Sequence, residues 1–97
     1  MEMGENLTEG HAEEIRQLAR RHGVVRLRVF GSYVTGEANK SSDLDLLIRF
    51  EPGRDLLDLV GLKQDLEELL GRQVDVVEEE ALSPYIRDKV LQEARPL

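Results

Sequence analysis

The sequence has no cysteine, no tryptophan and few aromatic residues. Aromatic side chains make up 4% of its 97 residues. Without cysteine, disulfide frameworks, thiolate zinc sites and cysteine nucleophiles are excluded. The scarcity of aromatic rings argues against a stacking platform for single-stranded nucleic acid. The chain also lacks an apolar run near the ~18 residues of a transmembrane helix, and no signal-peptide pattern opens it. We therefore expect a cytoplasmic protein without a membrane span.

Basic residues are outnumbered by acidic ones. Lys and Arg total 13 against 20 Asp and Glu, so the formal net charge is −7. This balance argues against direct binding of nucleic acid or anionic membranes, which requires clustered basic side chains. It suits a protein that meets metal-complexed nucleotides or a basic partner. The length fits one domain, predicted to span residues 1–97.

Apolar periodicity and turn residues predict the element order α-β-(α)-β-α-β-α. The predicted elements are a helix over about Leu7–His22 capped by Asn6, strands over Val24–Phe30 and Asp43–Phe50, a helix over Asp55–Leu70, a strand over Gln73–Val77 and a last helix capped by Ser83. The stretch 31–42 predicts a short helical turn and a loop. We expect an antiparallel first strand pair and a parallel crossover to the third strand. The predicted fold class is α/β (α+β), a two-layer domain with a small mixed sheet of three or more strands packed by helices.

Alternation and charge also predict which side chains are buried. In the first strand, Val25, Leu27 and Val29 are expected on the buried face, and Arg26 and Arg28 in solvent. The apolar stripe of the long helix is expected to consist of Leu56, Leu59, Val60, Leu66, Leu69 and Leu70. The acidic run 78–80 is expected to be a solvated loop.

Three aspartates stand out as candidate site residues. Asp43 and Asp45 are two apart on a predicted strand, so their side chains share one face. Such carboxylates repel each other unless a cation or proton joins them, and oxygen ligands suit Mg²⁺ or Mn²⁺. Asp75 interrupts an apolar strand. If that strand neighbours the second one, three carboxylates can converge and hold metals for phosphoryl chemistry. The alternative role for Asp75 is to keep an edge strand soluble.

A candidate phosphate site precedes these acids. Gly31 and Ser32 follow the first strand and begin the predicted helical turn. Backbone N–H groups at such a position can bind phosphate oxygens. Gly31 lets the backbone approach a ligand closely, and Ser32 adds a hydroxyl donor. A nucleoside triphosphate chelated to Mg²⁺ fits both halves of this pattern.

The spacing of these residues resembles a known signature. Gly31-Ser32, ten intervening residues and Asp43-Leu44-Asp45 are similar to the Gly-Ser-x10-Asp-x-Asp motif of the DNA polymerase β-like nucleotidyltransferase superfamily. The longer strings at 31–36 and 41–48 resemble its minimal nucleotidyltransferase (MNT) group, and Asp75 matches the place of the family's third acid.

The resemblance implies a function as well as a fold. Members of this group are usually the antitoxin of HEPN/MNT toxin–antitoxin modules, which neutralises an RNase partner, in some pairs by transferring AMP from ATP to a tyrosine of that partner. By this resemblance Asp43 and Asp45 bind metal, Asp75 binds metal or activates the acceptor hydroxyl, and Gly31 and Ser32 hold the triphosphate. The implied activity is a protein adenylyltransferase dependent on Mg²⁺ (or Mn²⁺).

Two alternatives stay open at this point. One is an antitoxin that masks its toxin by contact alone, and the other is a nucleotidyltransferase with a small-molecule or nucleic-acid acceptor. The shortness of the chain leads us to expect no acceptor-binding domain, which favours a protein acceptor. The sequence leaves open the nucleotide used, the acceptor residue, the oligomeric state, and the roles of Tyr33, Lys40 and Arg49.

Overall fold

The computed structural model of the protein describes residues 10–31 and 44–97. Within these ranges the chain forms three α-helices and four strands. The elements are α1 (Ala12–Arg21), β1 (Val24–Phe30), β2 (Leu44–Phe50), α2 (Leu56–Leu70), β3 (Val74–Glu78), α3 (Pro84–Glu93) and β4 (Arg95–Pro96), with a 3₁₀ turn at Glu79–Ala81 after β3. None of the helices in the described ranges has the length and apolar character needed to cross a membrane.

Local signals set both ends of α2 and, as predicted, the start of α3. The Asp55 carboxylate accepts a hydrogen bond from the backbone N–H of Leu57 at 3.0 Å, and Asp58 completes a capping box at the start of α2. Gly71 ends α2 with a left-handed φ of +67°. The Ser83 hydroxyl caps α3 by accepting from the N–H of Tyr85 at 3.3 Å.

The start predicted for the first helix, near Leu7, lies outside the described residues. Within them, α1 begins at Ala12 after His11, which makes no side-chain capping bond. The predicted cap, Asn6, lies outside the described residues, as does the turn and loop predicted over 32–42. The C-terminal end is close to the prediction, because α1 ends at Arg21 with His22 as its C-cap.

The sheet has the strand order β3-β2-β1-β4. β1 runs antiparallel to β2 and to β4, while β2 and β3 are parallel. This arrangement confirms the predicted mixed sheet, with its antiparallel first pair and its parallel crossover through α2. β4 was not anticipated, because two residues are too few to show an alternating pattern.

The hydrophobic core lies between one face of the sheet and the helices α1 and α2. Its members are Ile15, Ala19, Val24, Val29, Leu44, Leu46, Ile48, Leu62, Leu66, Val74 and Val76, all nearly or fully buried. By contrast, α3 contributes no buried side chain. β2 supplies three fully buried residues to this face and so forms the centre of the core.

Two predictions about buried apolar side chains are wrong. Val25 is 64% exposed, because a register irregularity between Val24 and Arg26 leaves Val25 out of the pairing and turns Val24 to the core instead. On α2, Leu56 and Val60 are exposed, while Leu62, absent from the predicted stripe, is fully buried. The buried line of α2 follows Leu62 and Leu66, one helical turn apart, and its first turn is exposed.

The opposite face of the sheet carries a buried ion pair. Arg28 Nη2 lies 3.4 Å from Glu79 Oε2, and Arg26 Nη1 lies 3.7 Å from Glu79 Oε1. Glu79 is only 6% exposed, so the expectation of a solvated acidic run is wrong at this residue. Since β2 lies between β1 and β3, the pair crosses β2 on the face that carries Leu47, the register partner of Arg28. Leu47 is accordingly fully buried although it lies outside the main core.

We predict that Glu79→Ala lowers the free energy of unfolding by about 3 kcal/mol, because it leaves the partly buried Arg28 guanidinium without its partner. The matched control is Glu80→Ala at the neighbouring, exposed position, where a change within about 0.5 kcal/mol is expected. Urea unfolding of the three proteins measures both values. Equal losses for the two variants would contradict a structural role for the Arg28–Glu79 pair.

Candidate active site

Two of the predicted acids lie directly beside each other in the sheet. Asp45 of β2 and Asp75 of β3 are register partners in the parallel ladder, at the usual interstrand spacing of about 4.8 Å. Their neighbours Leu44, Leu46 and Val74 are fully buried on the core side. Both carboxylates therefore lie on the opposite face, which we call the acid face. This is the strand neighbourhood on which the predicted convergence depends.

Asp45 and Asp75 form a row across the acid face, and a third residue continues this row on β1. Phe30 of β1 is the antiparallel partner of Asp45, so Asp45 sits between an aromatic ring and a second carboxylate. Asp45 and Phe30 are half-buried, whereas Asp75 is exposed. The site thus has an apolar side at β1 and an open side at β3, from which a ligand can approach.

Gly31 lies against the carboxylate of Asp45. It follows Phe30 with a φ of +77°, and a Cβ built on it would overlap the carboxylate oxygen Oδ2 of Asp45. The left-handed backbone favours glycine here, and any side chain would also force the Asp45 carboxylate to move. The sequence predicts a close backbone approach to a ligand at Gly31, and the structure shows an approach to an acid of the candidate site.

Other predicted site residues fall outside the described part of the chain. Ser32 and Asp43 belong to the range 32–43, as do Tyr33 and Lys40. Arg49 is exposed and pairs in register with Arg26, four residues beyond Asp45 along β2. The assignments of Gly31, Ser32, Asp43, Asp45 and Asp75 to nucleotide and metal remain predictions.

The donor chemistry at the acid face fits a hard divalent cation. Within residues 10–31 and 44–97 no group of three His, Cys, Asp or Glu side chains is arranged to hold a metal ion. Asp45 and Asp75 nevertheless form a pair of carboxylates in register, and like charges directly opposite each other are destabilising. A cation between them would remove that repulsion, and oxygen-only ligation suits Mg²⁺ or Mn²⁺.

Sequence reasoning missed two residues next to Asp75. Lys63 Nζ donates to the carbonyl oxygen of Val74 at 2.6 Å, and Glu67 Oε2 accepts from the Val74 N–H at 3.1 Å. Lys63 and Glu67 also pair with each other at 2.9 Å. In the sequence this is a Lys–Glu pair four residues apart on a helix, which is typical of a solvated helix surface. No local signal pointed to the strand.

A family model described as a nucleotidyltransferase domain matches residues 9–97. The chain belongs to this nucleotidyltransferase family. The matched region contains every residue of the acid face described above, and it covers nearly the whole chain. The resemblance drawn from the motif is thereby confirmed at the level of the family, and so is the enzyme class that it implied.

The name of a curated relative agrees with this enzyme class. The protein adenylyltransferase MntA of Thermococcus cleftensis is 43% identical over 89 residues, which cover 92% of this chain and 87% of the relative. The similarity therefore extends over almost all of both proteins.

Solved structures confirm the fold of this nucleotidyltransferase. One provisionally named a minimal nucleotidyltransferase is 54% identical, with a TM-score of 0.84, and covers 92% of this chain and 91% of that one. A toxin–antitoxin structure with AMP-PNP matches at 24% identity and a TM-score of 0.75, over 87% and 69% of the two chains. A complex of a tri-AMPylated Shewanella oneidensis HEPN toxin with its MNT antitoxin matches at 21% identity and 0.70, over 91% and 69%. The last two show the fold alone.

We predict that Gly31→Ala destabilises the protein more than Gly71→Ala does. Both positions have φ near +70°, so each alanine carries the left-handed strain of about 1–2 kcal/mol. Only at Gly31 does the new Cβ overlap Asp45, since nothing lies within 4 Å at Gly71.

The excess loss at Gly31 should shrink when Asp45→Ala is already present, because the overlapping carboxylate is gone. Urea unfolding of the single and double variants measures this coupling, with ~0.5–3 kcal/mol expected for residues in contact. Strict additivity of the two substitutions would contradict the contact.

Proposed function

We propose that this nucleotidyltransferase transfers AMP from ATP to a hydroxyl group of a partner protein, and that it thereby acts as the antitoxin of a HEPN-type RNase toxin. The observation that carries the proposal is the register of Asp45 with Asp75, with Gly31 against the Asp45 carboxylate. The name of the relative from Thermococcus cleftensis supports a protein acceptor. The toxin–antitoxin complexes that share the fold support the kind of partner.

The first proposed role of the site residues is to bind a cation that neutralises the charge of the triphosphate. Asp45 and Asp75, together with Asp43, are assigned to hold Mg²⁺ or Mn²⁺, and such a cation supplies neutralisation of the triphosphate charge. Gly31 and Ser32 are assigned to the phosphates through their N–H groups and the serine hydroxyl. The missing side chain at Gly31 lets its backbone lie directly against the Asp45 carboxylate.

The transfer replaces a phosphoanhydride bond of ATP with a phosphodiester bond to the acceptor. The acceptor hydroxyl oxygen forms a bond to the α-phosphorus of ATP, and the bond from that phosphorus to the bridging oxygen breaks, so that pyrophosphate leaves. The hydroxyl proton needs an acceptor. Asp75, exposed at the open side of the acid face, is assigned either to take this proton or to complete the cation's ligands. Positioning by the chain supplies most of such catalysis.

The decisive experiment incubates α-labelled ATP and Mg²⁺ with the protein and the protein that co-purifies with it. We expect label on the partner with the wild type and none with Asp43→Asn/Asp45→Asn, because the variant loses charged cation ligands. Asp88→Asn, at an exposed position of α3, is the control and should label normally. A partner that binds tightly but stays unlabelled would instead favour an antitoxin that masks by contact alone.

A second prediction concerns the cation alone. Mn²⁺ should raise the Tm of the wild type, because a ligand at 100 times its Kd stabilises by about 2.7 kcal/mol. Asp45→Asn/Asp75→Asn should lose this response, and Asp88→Asn should keep it. Differential scanning calorimetry at increasing Mn²⁺ measures the shift. An equal shift in all three proteins would contradict a cation site at the acid face.

A further inference from the structure

The backbone of Val74 faces the open edge of the sheet. β3 is an edge strand in the order β3-β2-β1-β4. The N–H of Leu44 in β2 donates to the carbonyl oxygen of Gln73 at 3.4 Å, and in a parallel ladder alternate residues turn their backbone groups to the neighbouring strand. Gln73 and Asp75 therefore bond towards β2, and both backbone groups of Val74 point away from it.

α2 supplies a partner for each of these two groups. Lys63 Nζ donates to the Val74 carbonyl oxygen, Glu67 Oε2 accepts from the Val74 N–H, and the two side chains pair with each other. We call the closed set of Lys63, Glu67 and the Val74 backbone the Val74 clasp. It provides at the edge of β3 the two hydrogen bonds that a further strand would otherwise provide.

The clasp is attached to the hydrophobic core. Lys63 and Glu67 flank Leu62 and Leu66 on α2, and both leucines are fully buried in the core. The Val74 side chain is fully buried as well, whereas the next residue, Asp75, is exposed. The backbone that carries the exposed acid is thus held on its outer side by side chains of a helix anchored in the core.

We propose that the Val74 clasp positions the Asp75 carboxylate beside Asp45 for the nucleotide site, with Lys63 and Glu67 as positioning residues. The inference rests on the proposed function of Asp75. Partners that orient the ligands of a site commonly matter 10–100-fold for affinity or activity. Among the described residues no further strand pairs with the outer edge of β3. There the hydrogen bonds from Lys63 and to Glu67 hold the backbone next to Asp75.

The electrostatics of Glu67 agree with this role. The hydrogen bond from Lys63, and next the one from the Val74 N–H, hold the pKa of the Glu67 carboxyl below its ordinary value of 4.5, against a smaller opposing effect of burial. The carboxylate that accepts from Val74 is therefore charged at neutral pH. An exposed helix pair alone contributes little, so the bonds to the backbone distinguish this pair from a surface ion pair.

The test exchanges the two residues. In Lys63→Glu/Glu67→Lys the ion pair four residues apart on α2 is kept in reversed order, but a lysine cannot accept from the Val74 N–H and a carboxylate cannot donate to its carbonyl. We expect kcat for AMP transfer to fall about 10–100-fold, with a smaller change in the KM for ATP. Arg54→Met is the control, because it breaks the ion pairs of Arg54 with Glu51 and Asp58 at the other end of α2 and should leave kcat unchanged.

Amide hydrogen exchange provides a readout that needs no activity. The Val74 N–H should exchange slowly in the wild type and in Glu67→Gln, which keeps a carbonyl acceptor, and rapidly in the exchanged variant. Glu67→Gln should likewise retain kcat near the wild-type value. Slow hydrogen exchange of the Val74 N–H in Lys63→Glu/Glu67→Lys would overturn the clasp. Fast hydrogen exchange in this variant together with a wild-type kcat would overturn the positioning role of the clasp.

The proposed function and the clasp fail in distinguishable ways. If the wild type transfers no AMP to its partner, the proposed function fails, while the Mn²⁺ concentration that half-saturates the Tm shift still reports on Asp75. We expect that midpoint to rise about 10–100-fold in the exchanged variant and to stay unchanged in Arg54→Met. An unchanged midpoint in the exchanged variant would overturn the inference.

Discussion

The parallel pairing of β2 with β3 is the constraint on which the rest of the structure depends. Side chains alternate between the two faces of a sheet, so a slip of one residue in β3 would turn Asp75 into the core and a valine to the acid face. The observed register places Val74 and Val76 in the core and Asp75 beside Asp45. Packing of the core therefore selects the geometry of the candidate site.

The two faces of β2 and β3 contribute differently to stability and to the candidate site. The core face of β2 contributes Leu44, Leu46 and Ile48, all fully buried, and their burial favours the folded state by roughly 1.5–3 kcal/mol per side chain. The acid face places two carboxylates side by side in register, where like charges repel each other. The protein can keep such a row because the opposite face of the same strands provides the stability.

Local sequence signals predicted the elements well. The bounds of β1 agree with the prediction, and the cap residues Asp55, Gly71 and Ser83 mark the ends of α2 and α3, because capping depends on residues within one helical turn. The errors occurred where distant residues decide. Val25 is exposed because of an irregular pairing with β2, and Glu79 is buried because arginines of β1 reach it. Neither pairing has a signature within its own segment.

The sequence by itself determined the spacing of Gly31, Ser32, Asp43 and Asp45. It also determined on which side of its strand Asp45 lies, and it determined the family. Those features depend on residues close together in the chain, where the strand period fixes the direction of each side chain. Only the tertiary structure decided that Asp75 lies beside Asp45, that Gly31 meets the Asp45 carboxylate, and that side chains of α2 hold the Val74 backbone. Alternation fixes the face of a residue within its own strand, but the register between two strands is set by how α2 packs its buried leucines against them.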